Sequence, residues 1–459
     1  MPSFTGKFQL TLGRESRSGS CALSFDEETL QLVSGGTPVV ACDLGDIDVF
    51  LPGDYVLDLS LYGGQQLRLQ QFAKTFDNLV QDLLEAYRAR LVKCLLLDDL
   101  EEVCRFAGIV EYQSPARRFS GPSEVRLYRS NLACLPTNAT GFQWRLADID
   151  SVQFDAESYA TVIRSRDEVM KVTKLAKRTD EFRQCIEQAM QEVGERSAGV
   201  LHELFPFIPP DRFPDLAAAM KEGHAVSLAR LKAIDPKTLQ AIATNMLDAK
   251  LKPYFDLLAK LAGEAGTFAG FKIIRAGGQD SGEEDACDES REAADASGAE
   301  RETGGQAAEA SGSDEAAGAG TSEEDSQSEA EEQPILHWFF FRIAPPAAKE
   351  PVFAWEATSR SGRATYVFRE ALLNGGGRAL SPDTAAEQLA RGLAFVNFRR
   401  EPVYLPDDSL QLQPKFRRYA IASRRLPELA ALRKALVGRA IHTSLDRWRQ
   451  QLDKLLGPR

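Results

Sequence analysis

The chain has 459 residues, 43% hydrophobic and 27% charged, with a net charge of −12; such a length exceeds one hydrophobic core and implies about three folded units. No apolar run approaches the roughly 18 residues that cross a bilayer, and the opening MPSFTGKFQLTLGRESRSGS lacks the basic start and long apolar stretch of a secretory signal. The seven cysteines (Cys21, Cys42, Cys94, Cys104, Cys134, Cys185, Cys287) are odd in number, scattered and without a CxxC pair, which argues against a disulfide framework or a zinc site and makes the cytoplasm the expected location.

In chain order, the first feature is an internal repeat of about 100 residues, the size of a small domain rather than a solenoid unit. Asp46-Ile47-Asp48 matches Asp148-Ile149-Asp150, and Ala73-Lys74 followed by Asp77 matches Ala176-Lys177 followed by Asp180. Short strands come first in each copy. Apolar residues alternate at Phe8, Leu10 and Leu12, at Leu57, Leu59 and Leu61, at Leu67 and Leu69, and at Phe142, Trp144 and Leu146, which places them on one face of a sheet. Ser34-Gly35-Gly36, Pro52-Gly53-Asp54 and Gly63-Gly64 separate strands as turns. The period then becomes helical: Phe76, Leu79, Val80, Leu83, Leu84, Tyr87 and Leu91 form one stripe, and Phe182, Cys185, Ile186, Ala189, Met190 and Val193 form its counterpart. Thr75 and Thr179 are the expected N-caps. Strands followed by one amphipathic helix imply a curved sheet whose open end the helix closes.

These residues resemble the pleckstrin-homology-like superfamily, especially its bacterial PH and GRAM-type domains. The resemblance rests on Trp144 through Val152, with its weaker twin at Cys42 through Val49, and covers roughly residues 5–195. Neither closing helix carries the tryptophan common in eukaryotic PH domains, a departure that weakens any transfer of phosphoinositide binding. The resemblance implies two consecutive β-barrels, residues 1–95 and 104–196, that bind a protein, peptide or lipid headgroup and rarely catalyse. It also implies an anion site between the first two strands of each copy: Lys7, Arg14 and Arg17 in one, Arg117 and Arg118 in the other. The competing reading is solvated loop charge. Because residues 1–278 carry a net charge of −5, that reading is preferred, and a protein partner is expected over an anionic lipid.

Residues 197–262 read as a helical connector, with helices from Phe213 to Met220, from Asp235-Pro236 through Leu247, and from Pro253 through Leu261. Residues 279–333 hold 19 acidic and 2 basic residues and no aromatic one. Such a segment cannot bury enough apolar surface to offset chain entropy, and disorder is expected. The apolar runs on either side of it, Thr267–Ile274 and Ile335–Ile343, read as paired strands, so the acidic segment is expected to be an insertion in a hairpin. The C-terminal α+β domain then comprises 263–278 plus 334–459. Within it, strands are expected at Val352–Ala357 and Ala364–Phe368, and a helix at Thr384–Leu393. A last strand pair would include Tyr404 and Tyr419–Ala422. Helices at Pro427–Val437 and Ser444–Leu456 finish the chain.

Residues 334–459 hold 21 basic and 11 acidic residues. Arg399, Arg400, Lys415, Arg417, Arg418, Arg424 and Arg425 are interleaved with Phe398, Phe416 and Tyr419, a pattern that suits phosphate and base contact or contact with the chain's own acidic insertion. The four histidines, His202, His224, His337 and His442, show no metal-ligand spacing. Gly375-Gly376-Gly377-Arg378 lacks the lysine and hydroxyl of a phosphate-binding loop, and no G-x-S-x-G elbow occurs. The reading is therefore a non-enzymatic adaptor or scaffold with no cofactor, binding a protein partner. Nucleic-acid or chromatin-like binding and transient contact with an anionic membrane surface stand as the alternatives.

Overall fold

Seven strands open the chain: β1 (Ser3–Leu12), β2 (Glu15–Phe25), β3 (Thr29–Ser34), β4 (Thr37–Asp43), β5 (Ile47–Pro52), β6 (Val56–Leu61) and β7 (Gln65–Gln70). They form one antiparallel sheet of spatial order β4-β3-β2-β1-β7-β6-β5. Two meanders are thus joined where β1 pairs with β7, from Lys7 opposite Gln70 to Thr11 opposite Gln66, and the sheet curls. Helix α1 (Phe76–Cys94) follows and buries Phe76, Leu79, Leu83, Tyr87 and Leu91, the stripe expected from its periodicity. Each such leucine contributes about 2 kcal/mol by leaving water.

The same unit then recurs. Strands β8 (Glu102–Gln113), β9 (Arg118–Tyr128), β10 (Asn131–Pro136), β11 (Phe142–Arg145), β12 (Ser151–Asp155), β13 (Ala160–Ser165) and β14 (Glu168–Thr173) take the order β11-β10-β9-β8-β14-β13-β12, and α2 (Thr179–Leu204) follows. The correspondence extends to single residues. Leu44–Asp46 and Leu146–Asp148 are matching 3-10 turns. Gln71 and Lys174 share a positive φ (61° and 58°), as do Ala73 and Ala176 (49° and 52°). At Gly6 the Phe72 ring lies 2.7 Å from where a Cβ would stand; at Gly108 the Thr173 carbonyl lies at 2.6 Å. The closing chain crosses the first strand at these glycines, and a side chain there would hold it off.

The structure, a computed structural model, describes residues 3–273, 335–344, 350–358, 364–373, 380–396 and 401–457. The acidic segment 279–333 and the pair Arg399 and Arg400 lie outside the described residues. No described helix is long and apolar enough to cross a membrane.

Several local expectations are corrected. Thr75 and Thr179 do not cap: their hydroxyls donate backward to the carbonyls of Phe72 (2.7 Å) and Ala176 (3.0 Å). In each repeat a 3-10 turn (Ala73–Thr75, Ala176–Arg178) runs straight into the helix, so no extended residue is left to turn a side chain onto the first amides. Helix α2 continues to Leu204, carrying the expected boundary at 196 into the middle of a helix. Beyond it lie α3 (Phe213–Ala219), α4 (Leu228–Ile234), α5 (Lys237–Ala241) and α6 (Lys252–Gly266). The helix expected through Leu247 breaks into α5 and a π turn at Ile242–Met246, where the Thr244 hydroxyl bonds back to the Gln240 carbonyl at 2.9 Å.

A third sheet is built from β15 (Val226–Ser227), β16 (Thr267–Ile273), β17 (Ile335–Ile343), β18 (Val352–Ala357), β19 (Ala364–Arg369) and β20 (Leu436–Ile441), in that spatial order. β16 and β17 are hydrogen-bonded neighbours, as the flanks of the acidic segment implied. Helices α7 (Pro382–Ala394), α8 (Asp407–Leu412), α9 (Arg417–Arg425), α10 (Pro427–Ala435) and α11 (Leu445–Leu456) complete the described chain. The expected strand at Tyr419–Ala422 is the buried middle of α9, and the edge strand is β20, which begins where helix was expected to continue. A four-residue apolar run fits a buried strand and a buried helix turn equally well.

One hydrophobic core runs from the first repeat into the third sheet, joining Phe8, Leu69 and Tyr87 to Phe340, Leu389 and Leu429. The second repeat has its own core around Phe106, Leu127, Trp144, Ile163 and Phe182. The repeats also bond to each other. The Phe50 amide donates to the Thr137 carbonyl at 2.7 Å, Gln143 Nε2 donates to the Leu95 carbonyl at 2.5 Å, and Arg88 pairs with Glu124 at 3.0 Å.

Candidate functional site

The Asp–Ile–Asp step that marks each repeat is where the C-terminal half is received. In the first repeat the 3-10 turn Leu44–Asp46 buries Asp46 at 7% exposure. From α9, Arg417 pairs with one Asp46 oxygen, and Arg424 Nη2 donates to the other at 2.6 Å. Arg425, itself buried, donates to the carbonyls of Gly45 (2.7 Å) and Ile47 (2.8 Å), with Asp48 at 3.3 Å. Gly45 makes the approach feasible, since Ile421 of α9 lies 2.9 Å from its absent Cβ. Behind the turn, Arg90 of α1 grips Asp43 with both arms, at 2.9 and 2.6 Å, and reaches Glu28 at 2.6 Å. Paired guanidinium and carboxylate planes of this kind are the strong form of ion pair.

The second repeat repeats the device with different partners. Asp148 accepts from Arg145 at 2.9 and 2.8 Å, and its Oδ1 lies 3.0 Å from His224 Nε2 and 3.3 Å from Arg391 Nη2. His224 precedes β15, and Arg391 belongs to α7. The other imidazole nitrogen, Nδ1, is 2.8 Å from Glu387 of α7, which also accepts from Arg166 at 3.0 Å and from the Ala225 amide at 3.2 Å. Burial works against the Asp148 charge, but Arg145, His224 and Arg391 outweigh it and hold the carboxyl well below its ordinary range. Burial likewise disfavours the imidazolium of His224, yet the carboxylates of Asp148 and Glu387 raise its pKa above the usual value. Glu387 is lowered, against burial, chiefly by His224.

Asp148, His224 and Glu387 offer ligand atoms within 4.8 Å of one another, a spacing that a divalent cation accepts. The donor set does not suit one. Both imidazole nitrogens already face carboxylates, and three guanidiniums (Arg145, Arg166 and Arg391) supply the positive charge. A further +2 there would be repelled. The cluster is a charge clamp joining the second repeat, the connector and α7.

A third polar centre lies on the face of the last sheet toward α6 and α11. Glu356 is fully buried on β18. Thr365, opposite it on β19, donates to Glu356 Oε2 at 2.5 Å and accepts from Trp448 Nε1 at 2.8 Å. His442 Nε2 lies 3.1 Å from the Thr365 hydroxyl and 3.3 Å from Glu356, under the Tyr254 ring, whose centroid is 4.2 Å away. Thr365 is the hub of this network and pins α11 to the sheet.

The residues singled out from sequence are distributed accordingly. Lys7, Arg14 and Arg17 are exposed on the first hairpin. Lys7 stands opposite Ser20 and Arg17 opposite Leu10, which puts the two cations on opposite faces of the pair. Arg117 donates to the Thr140 carbonyl at 3.1 Å and stacks on Phe142 (4.6 Å) and Tyr112 (4.8 Å), while Arg118 is exposed. Lys415 is exposed over the ring of Phe416. Arg418 pairs with Asp98 and with Glu401 at 3.3 Å. Arg417, Arg418, Arg424 and Arg425 are therefore turned onto the chain's own acids and carbonyls rather than gathered for a phosphate backbone. Glu387 and Arg391 were not singled out from sequence, His224 was weighed only as a metal ligand and Arg145 only as part of the repeat pattern, although the repeated Asp148 marked the place. No protein-family model matches the chain, and no curated protein matches its sequence.

Proposed function

We propose that the chain is a non-enzymatic binding scaffold whose two repeats are PH-like barrels and whose C-terminal domain holds them in a fixed relation. The observation that carries this reading is the recurrence of one seven-stranded antiparallel order, followed by a helix, in both repeats. A curled antiparallel sheet followed by one helix, twice over, supports the PH-like resemblance, and barrels of that class present surfaces to peptides and proteins. The docking of α9 and α7 onto the repeat signatures supports a rigid platform over two independent modules. It also spends four of the arginines that a nucleic-acid contact would need. Six described cysteines are unpaired, which agrees with a reducing compartment such as the cytoplasm.

The test is capture with the intact chain in three parallel arms: nuclease-treated extract of the source cells, duplex DNA and RNA, and vesicles containing anionic lipid. A single protein retained near unit stoichiometry through nuclease and high salt supports the scaffold reading. Retention of nucleic acid with a steep salt dependence, or sedimentation with vesicles alone, would replace it.

A further inference from the structure

Among the six described cysteines, Cys21, Cys94 and Cys134 are buried, whereas Cys42, Cys104 and Cys185 are half-buried. The last two meet. Cys104 shares the face of β8 that carries Phe106, and Cys185 lies one turn beyond Phe182 on α2. The Phe106 and Phe182 rings pack edge to face, with centroids 5.0 Å apart, which brings strand and helix together at this point. Both cysteines pack against the core of the second repeat, and their thiols are hydrogen-bond partners.

The surroundings suit sulfur exchange. The Arg178 guanidinium lies 4.2 Å over the Phe106 ring, donates to the Arg105 carbonyl at 3.1 Å and pairs with Glu181 at 2.9 Å. From there its charge acts on both sulfurs, and a nearby cation favours a thiolate. Burial, then the hydrogen bond and charge of Cys185, push the Cys104 thiol up to about 12. Cys104 therefore keeps its proton, and Cys185 is the sulfur placed to attack first. A β-bulge between Glu102 and Cys104 interrupts the ladder beside the pair, so this end of the strand can shift to complete a covalent bond.

We propose that Cys104 and Cys185 form a reversible disulfide that locks the closing helix of the second repeat onto its first strand. The oxidant is a small-molecule disulfide, such as oxidised glutathione. The Cys185 thiolate attacks one sulfur of that disulfide and expels a thiolate, which takes up a proton, leaving a mixed disulfide on Cys185. Cys104 then gives its proton to solvent, attacks the Cys185 sulfur and expels the second thiol. Two protein thiols are oxidised, and the small disulfide is reduced to two thiols. A free-thiol resting state suits a reducing compartment, where such bonds are transient. The lock is particular to the second repeat: in the alignment that matches Ala73 to Ala176, Asp82 stands where Cys185 does.

The experiment uses the full reduced chain, equilibrated in glutathione buffers of rising oxidised fraction, quenched by alkylation and read by peptide mass spectrometry. The expected product is a Cys104–Cys185 crosslinked peptide in buffers holding both forms, reversed by excess reduced glutathione, with unchanged far-ultraviolet circular dichroism. The crosslinked chain should melt higher by roughly 3 °C or more, because a covalent tie across a long loop restricts the unfolded chain. Cys104→Ser and Cys185→Ser should each remove this redox-dependent shift, and Cys185→Ala repeats the test without a new hydroxyl. The proposal is overturned if both sulfurs stay alkylatable in oxidised glutathione alone, or if reaction stops at a glutathione adduct. It is equally overturned if the bond forms only without reduced glutathione, if either sulfur pairs with another cysteine instead, or if the crosslink leaves the melting temperature unchanged.

Discussion

Asp46 and Asp148 occupy the same place in the two repeats, the end of a single 3-10 turn, and each gathers cations from elements far along the chain. Removing one partner of a buried ion pair leaves the others desolvated without compensation, which costs about 3–5 kcal/mol. Asp46→Ala and Asp148→Ala are each expected to lower unfolding free energy by about 3 kcal/mol in denaturant titration, whereas Asp58→Ala, which breaks an exposed pair with Arg68, should change it by less than about 1 kcal/mol. Two histidines set opposite pH dependences. His224 has a raised pKa, so its contribution is complete below the unfolded value of about 6.5 and is lost as pH rises through the folded value. Burial lowers His337 to about 4. It stays neutral in the fold while the unfolded chain takes up a proton, so stability falls as pH drops from about 6.5 toward that value, by on the order of 2 kcal/mol. Melting curves against pH should show the parent more stable than His224→Gln below about pH 6.5, with the difference shrinking as pH rises, and should show the parent losing ground to His337→Leu as pH falls toward about 4.

Among the elements, the two glycines on β1 and β8 distinguish packing against a side chain from packing against backbone. A methyl at Gly108 would meet the Thr173 carbonyl, which cannot turn away, whereas at Gly6 the obstacle is the Phe72 ring. Gly108→Ala should therefore cost more than Gly6→Ala, by about 1 kcal/mol or more, in thermal or denaturant unfolding. How far the elements were legible follows the same physics. Long strands and helices with clear period, such as β6, α1 and α2, stand where the apolar spacing puts them, because one face of each is buried. Tyr419–Ala422 misled because all four residues are buried and the run has no period of its own. The surroundings of the basic clusters were not legible for a different reason. Arg417, Arg424 and Arg425 fall on a helix whose acidic partners lie some 370 residues away, and no local pattern reveals that pairing. The duplicated Asp–Ile–Asp step pointed to both places, but as a mark of the fold; the partners could be seen only with α7, α9 and His224 in position.

Across the whole molecule, the third sheet is continuous over the acidic segment, since β16 and β17 are neighbours. Replacing residues 279–333 by a short Gly/Ser turn should leave the melting temperature unchanged or slightly raised, because loop closure entropy grows only slowly with length; a large loss of Tm would show that the segment supports the fold. The shared core and the two aspartate junctions bind the repeats to the C-terminal half, which is what a scaffold of fixed geometry requires. The most direct test is amide hydrogen exchange, read by mass spectrometry, on the intact chain and its Asp46→Ala variant. Interlocking predicts that protection falls together in the Leu44–Phe50 turn and strand and in α9, Arg417–Arg425, though they are distant in sequence. Loss confined to the first repeat, with α9 as protected as before, would contradict it.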